Sequence, residues 1–193
     1  MPAVREPRAD PLRVNSEHWL TRVRRRISPN QDSRPGHSVP ELVVVHCISL
    51  PPGRYGSGDV ERLFGNALDA DSHPAYADLR GVRVSAHLFI DRRGRVTQFV
   101  AFDRRAWHAG ASSWRGRPRC NDFSIGVELE GCDDRAYTAA QYRRLRLVLQ
   151  ALFARYPHLA PDAVVGHQEV APGRKTDPGP GFDWRRLLLE FGP

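Results

Sequence analysis

Apolar positions along this chain fall into short runs punctuated by Gly, Pro and Arg. Leu42, Val43, Val44 and Val45 form a continuous apolar run through residue 47, the pattern of a strand buried on both faces. Residues 84–90 and 96–100 flank Asp91-Arg92-Arg93-Gly94, which reads as a hairpin. Residues 124–130 alternate, with Ile125, Val127 and Leu129 on one face and Gly126, Glu128 and Glu130 on the other. Thr138 followed by Gln141 matches a capping box and opens the longest helix, to Tyr156. Its apolar stripe is Tyr142, Leu145, Leu149, Leu152 and Phe153, and Pro157 stops it. Shorter helices are expected over 16–27, over 60–68 behind a capping Asp59, and behind Asp183 through Leu188. A short strand over 163–165 leads to His167, and 30–40, 69–81 and 101–122 read as loops. A loop as long as the last is usually functional. Strands and helices alternating irregularly around one hairpin predict an α/β fold: a single domain, with a central mixed β-sheet flanked by helices. Residues 1–15, rich in Pro and Arg and aperiodic, read as a flexible tail, leaving 16–193 for the domain.

Composition narrows the function. No apolar run reaches the length of a membrane span. The segment TRVRRRIS resembles an export signal but no apolar region follows it, so no signal peptide is expected. Cys47, Cys120 and Cys132 are an odd number without a CxxC spacing. That speaks against a disulfide framework and a cysteine-held metal, and for reduced thiols in a cytoplasm. The net charge of +7 is uneven: residues 1–36 hold eight Arg against four acids, and 80–119 hold ten against two. With no nucleic-acid-binding signature beside it, this basic character reads as a solvated Arg-rich face or a site for a small anion.

Candidate chemistry gathers in the stretch 164–183, VVGHQEVAPGRKTDPGPGFD. His167 follows an apolar pair, and Asp177 lies ten residues on, in a loop shaped by Pro and Gly. His46 stands at the end of the first apolar run. Read singly, either histidine is a core residue or a metal ligand. Taken with Asp177 they make an open His/His/Asp set of the kind that holds catalytic zinc. Lys175 is the only lysine among 29 basic residues. A compact ammonium retained where the rest of the chain uses Arg points to a chemical role.

The segments VVHCISLPPG (44–53), VRVSAHLFIDRRGRVTQFV (82–100), RAWHAGASSWRGRPRCNDFSIGVELEG (105–131) and GHQEVAPGRKTDPGPGFDW (166–184) together resemble the AmpD family, zinc-dependent N-acetylmuramyl-L-alanine amidases of the type-2 amidase and peptidoglycan-recognition fold. The resemblance covers roughly residues 16–190. It implies zinc on His46, His167 and Asp177, Glu128 as general base and acid, and Lys175 beside the oxyanion. It implies hydrolysis of the amide joining anhydro-N-acetylmuramic acid to L-alanine in soluble muropeptides, by a monomer, with no nucleic-acid or membrane partner. Muropeptides carry carboxylates and a sugar, which makes Arg83 and Arg119 candidate anion contacts and Trp107 a candidate sugar platform. His108 reads as a supporting or structural residue, and Glu130 as structural. Cys47 stands where many family members carry Asn. A non-catalytic recognition module or a wall-lytic amidase are the alternative readings on the same fold.

Overall fold

The computed structural model describes residues 11–189 and 191. In chain order these form β1 (Arg24–Arg25), β2 (Gln31–Ser33), β3 (Leu42–Ile48), α1 (Asp59–Phe64), β4 (Leu88–Ile90), β5 (Val96–Gln98), β6 (Arg104–Ala106), β7 (Ser113–Trp114), β8 (Arg117–Pro118), β9 (Ser124–Glu130), α2 (Ala139–Arg155), β10 (Val164–Gly166), α3 (His167–Val170) and α4 (Trp184–Leu188). Short 3-10 turns fall at Pro35–His37, Pro74–Leu79, Cys120–Asp122 and Pro161–Ala163. The main sheet runs β1-β5-β4-β9-β3-β10. Every pairing in it is parallel except β4 with β5, the expected hairpin, so the sheet is mixed. Gly94 closes that hairpin at φ 75°, while Asp91 Oδ1 accepts from the backbone N–H groups of Arg93 and Arg95 at 2.9 and 2.8 Å.

The period-2 geometry of the central strands divides the molecule. Val43 and Val45 of β3 and Ile125, Val127 and Leu129 of β9 point to one face, where Tyr142, Leu145, Leu149 and Leu152 of α2 cover them. The capping box that opens α2 is formed: the Thr138 hydroxyl accepts from Gln141 N–H, and Gln141 Oε1 accepts from Thr138 N–H. Such caps contribute about 1 kcal/mol. The opposite face carries Leu42, Val44 and His46 of β3 and Ser124, Gly126 and Glu128 of β9. It is covered by α1 and by the segment 101–122. Glu130, at the end of that face, is structural as read: its carboxylate accepts the N–H groups of Gly56 and Arg92.

Several expectations need correction. No helix forms over 16–27. His18 and Arg22 adopt positive φ, Asn15 Oδ1 takes the N–H groups of Glu17 and Trp19, and Leu20 N–H goes to Gln98 Oε1 at 2.7 Å. Side chains thus capture the donors a helix would use, and the segment ends as β1 on the sheet edge. Residues 1–10 of the expected tail lie outside the described residues. Leu12 and Val14 pack against the core, so the packed chain begins before residue 16. Helix α1 stops at Phe64 rather than Leu68, with Gly65 as its cap, and Asp59 lies inside its first turn without capping it. The loops 30–40 and 101–122 contain a second small sheet, β2 with β6, and the ribbon β7–β8.

Candidate active site

The register of three parallel strands builds the site. His46 lies directly beside Glu128 across β3 and β9, so both side chains leave the same face. Gly166 of β10 pairs with Val45, which places His167, the first residue of α3, level with His46. The loop after α3 then turns back: Asp177 C=O accepts from Gln168 N–H at 3.0 Å, and Pro178 C=O from the Tyr137 hydroxyl at 2.9 Å. These ties carry the Asp177 carboxylate to the two imidazoles.

The three groups form a triangle. His46 Nδ1 and His167 Nδ1 stand 3.0 Å apart, and each is 3.1 Å from Asp177 Oδ2. Ligands at zinc's usual distances and tetrahedral angles are separated by about 3.3 Å. Two ring nitrogens facing each other and one carboxylate oxygen at this spacing therefore fit a cation between them, and the His/His/Asp donor set suits zinc. Both histidines are buried. Burial, with the neighbouring His167 and Lys175 adding to it against Asp177, lowers His46 to about 4, which keeps it in the neutral, ligating form. Asp177 is held well below the usual carboxylate range: burial opposes this, but the hydrogen bonds from His167 and His46 prevail.

Glu128 lies at the floor of the same site. Its Oε2 is a buried oxygen without a hydrogen-bond partner, the one such side-chain atom among the described residues. Burial and the nearby Asp177 carboxylate push its carboxyl well above the usual range, against the pull of Lys175. A carboxyl group that is both desolvated and unpartnered favours its protonated form and has an oxygen free to exchange a proton with a group in the cleft. Lys175 is exposed at the rim, with its backbone N–H fixed to Ala171 C=O at 3.1 Å. Together these groups open into a cleft of about 560 Å³ that is also lined by Trp107, His108, Asp133 and Arg174 and by apolar residues such as Leu50, Phe64 and Val82. A hollow of about 350 Å³ between Arg24, Glu61 and Arg144 carries no comparable set of groups.

The structure gathers His46, His167, Asp177, Glu128, Lys175 and Trp107 into this one cleft and leaves two expected residues outside its lining. Arg119 pairs with Asp122 at 3.0 Å. Arg83 lines the adjoining hollow with Leu68 and Gly81, although its neighbours Val82 and Val84 face the cleft. The Arg-rich segment spends its charge on pinning itself down: Arg105 bridges Asp32 and Asp122, Arg115 pairs with Asp162, and Arg117 with Glu41.

Sequence reasoning passed over Asp133 and Arg174. Asp133 accepts from the Cys47 thiol at 3.0 Å and from the Thr176 hydroxyl, which ties β3 to the loop bearing Lys175 and Asp177. Arg174 donates to the carbonyls of Ala109 and Ala111. Both are loop residues without periodicity, and only the consecutive acids Asp133-Asp134 beside the cleft-lining strand hinted at the first. Burial, then the Asp133 carboxylate, pushes the Cys47 thiol far up, so it stays protonated.

A family model described as N-acetylmuramoyl-L-alanine amidase matches residues 35–180. A Citrobacter freundii protein named 1,6-anhydro-N-acetylmuramyl-L-alanine amidase AmpD is 54% identical over 177 residues, covering 92% of this chain and 94% of its own. The chain belongs to the AmpD family of amidases. A crystal structure of a selenomethionine AmpD derivative superposes with a TM-score of 0.88 at 53% identity, over 90% of this chain and 96% of that one. The Escherichia coli amidase AmiD, solved with the substrate anhydro-N-acetylmuramic acid-L-Ala-D-gamma-Glu-L-Lys, aligns with a TM-score of 0.59 at 30% identity, over 82% of this chain and 60% of its own. The fold, with its mixed sheet flanked by helices, is therefore that of the AmpD amidases.

Proposed function

We propose that this protein is a zinc-dependent amidase of peptidoglycan recycling. It cleaves the amide between the lactyl group of anhydro-N-acetylmuramic acid and L-alanine in soluble muropeptides. The observation that carries this reading is the triangle of His46, His167 and Asp177 with the unpartnered Glu128 oxygen beside it. The AmpD relative and the ligand of the AmiD complex supply the substrate class. The catalytic domain in this reading includes Leu12 and Val14. It acts as a cytoplasmic monomer, in line with its three free cysteines; no helix among the described residues is long and apolar enough to cross a membrane.

His46, His167 and Asp177 would hold the zinc, which when bound would supply a Lewis acid that polarises a carbonyl and lowers the pKa of water to about 7. Glu128 accepts the proton of the attacking water on Oε2. It then hands that proton to the alanine nitrogen as the amide C–N bond breaks, so one carboxylate serves as base and acid in turn. Lys175 brings its ammonium to the carbonyl oxygen as negative charge develops there. Trp107 offers its indole to the sugar, and the apolar residues Leu50, Phe64 and Val82 exclude water from the reacting amide. The test is mass spectrometry of a purified anhydro-muropeptide incubated with the protein, with chelator, and with zinc restored. Loss of the peptide from the sugar, abolished by chelator and regained with zinc, is expected. Full activity after exhaustive metal removal would overturn the proposal.

A further inference from the structure

The geometry points to a positioning role for His108: through its ring it fixes the tautomer and orientation of His46, with Ser124 and Gly126 of β9 holding it in place. This rests on the metal-centre reading above. With a cation on Nδ1 of His46, the ring's hydrogen would belong on Nε2, and that atom lies 2.9 Å from His108 Nδ1. His108 Nδ1 must then accept, which puts its own hydrogen on Nε2, aimed at Ser124 Oγ 3.1 Å away. Each ring N–H of His46 and His108 then meets an acceptor. The opposite tautomer of His108 would bring two N–H groups face to face. The two rings stand edge to face at 84°, a geometry that directs one nitrogen at the other.

Several features seat this ring. A Cβ on Gly126 would stand 2.4 Å from His108 Cγ, so the strand can take only glycine there while the ring keeps its place. The backbone of the segment is locked as well. Asn121 Oδ1 accepts from the N–H groups of both His108 and Ala109, at 3.1 and 2.8 Å. Ala109 in turn presents its carbonyl to His167 Nε2 at 3.2 Å. One dipeptide thus orients both imidazole ligands, the first by a side chain and the second by a carbonyl. A carbonyl is a common partner for a ligating histidine; a second histidine relayed to a serine is not.

Partners of this kind typically set metal affinity by about 10–100-fold. The experiment is a zinc competition titration against a chromophoric chelator, on the full chain and on His108→Leu, His108→Asn and Ser124→Ala, with thermal unfolding in excess chelator as a check on folding. His108→Leu is expected to bind zinc about 10–100-fold more weakly. His108→Asn, whose Oδ1 takes the place of Nδ1, is expected to recover most of that loss, and Ser124→Ala to show a smaller weakening. Parental affinity in His108→Leu, or equal weakness in His108→Leu and His108→Asn, overturns the inference. If His108→Leu does not fold, Ser124→Ala decides, and parental affinity there overturns it. A parent chain that takes up no zinc refutes the metal centre itself, which separates that failure from this one.

Discussion

Replacing Lys175 by arginine keeps the charge and is expected to lose most of the turnover. The side chain is exposed at the rim with no hydrogen bond or ion pair to any described residue, while the loop is tied around it: Lys175 N–H donates to Ala171 C=O, and the side-chain hydroxyl of Thr176 to Asp133. The loop therefore presents a positive charge in the same cleft as Glu128 and the ligand triangle. Two unit charges 4 Å apart attract by about 4 kcal/mol at an effective dielectric near 20. Lys175 is exposed, so water trims this, and loss of a single oxyanion donor costs on the order of 10²–10³ in rate, about 2.7–4 kcal/mol. Arginine carries the same charge on a longer, planar fork whose donors diverge, and a rigid loop cannot withdraw to make room for it. Lys175→Arg and Lys175→Ala are both expected to retain zinc and to lose turnover by that order. The assay measures kcat, KM and bound zinc for parent and both variants on one anhydro-muropeptide. Near-parental kcat in Lys175→Arg would refute the steric part of the reasoning. Loss of zinc in both would make Lys175 a shaper of the Asp177 loop instead.

Glu128→Gln keeps the shape of the buried side chain and removes the base; turnover is expected to fall by about 10²–10⁴-fold with zinc retained, as read by steady-state kinetics and metal analysis. His167→Ala removes one corner of the triangle, so metal content and activity are expected to disappear together, and an active, metal-free variant would contradict the ligand assignment. A fourth prediction concerns His87, which burial and the adjacent Arg34 guanidinium push down to about 3. Its folded pKa lies below the unfolded value, so the stability it permits is complete above about 6.5 and is lost as pH falls toward 3, at about 1.4 kcal/mol per unit. Urea unfolding of the metal-free chain is therefore expected to lose roughly 2 kcal/mol from this group between pH 7 and 5. His87→Asn should flatten that slope, and identical slopes would refute the attribution.

Strands β3 and β9 were legible because their burial writes itself into the residue pattern, as a continuous apolar run in one and a two-residue alternation in the other. Helix α2 was legible because Thr138 and Gln141 carry their own start signal. The segment 16–27 was not, because its structure depends on Gln98 and on side chains of Asn15 that compete for backbone donors, a long-range and a local effect that periodicity does not record. At the site, Glu128 was placed on the carboxylate-bearing face of its strand by alternation alone. That His46 and Glu128 face each other follows from strand register, which no local pattern specifies. Trp107 reached the cleft as expected, whereas Arg119 was captured by Asp122 three residues on. His108 and Asn121 act on residues distant in sequence, and nothing near them in the chain reveals it.

The lone lysine has a consequence for handling the molecule. Among the side chains only one carries an amine, and it stands exposed at the mouth of the cleft. Amine-directed acylating probes thus have a single side-chain address, and occupancy of the cleft can be followed as protection of one residue. The same holds for a protease that cuts only after lysine. Its single target bond, Lys175–Thr176, lies between two corners of the triangle, so one cut leaves His46 and His167 on one fragment and Asp177 on the other.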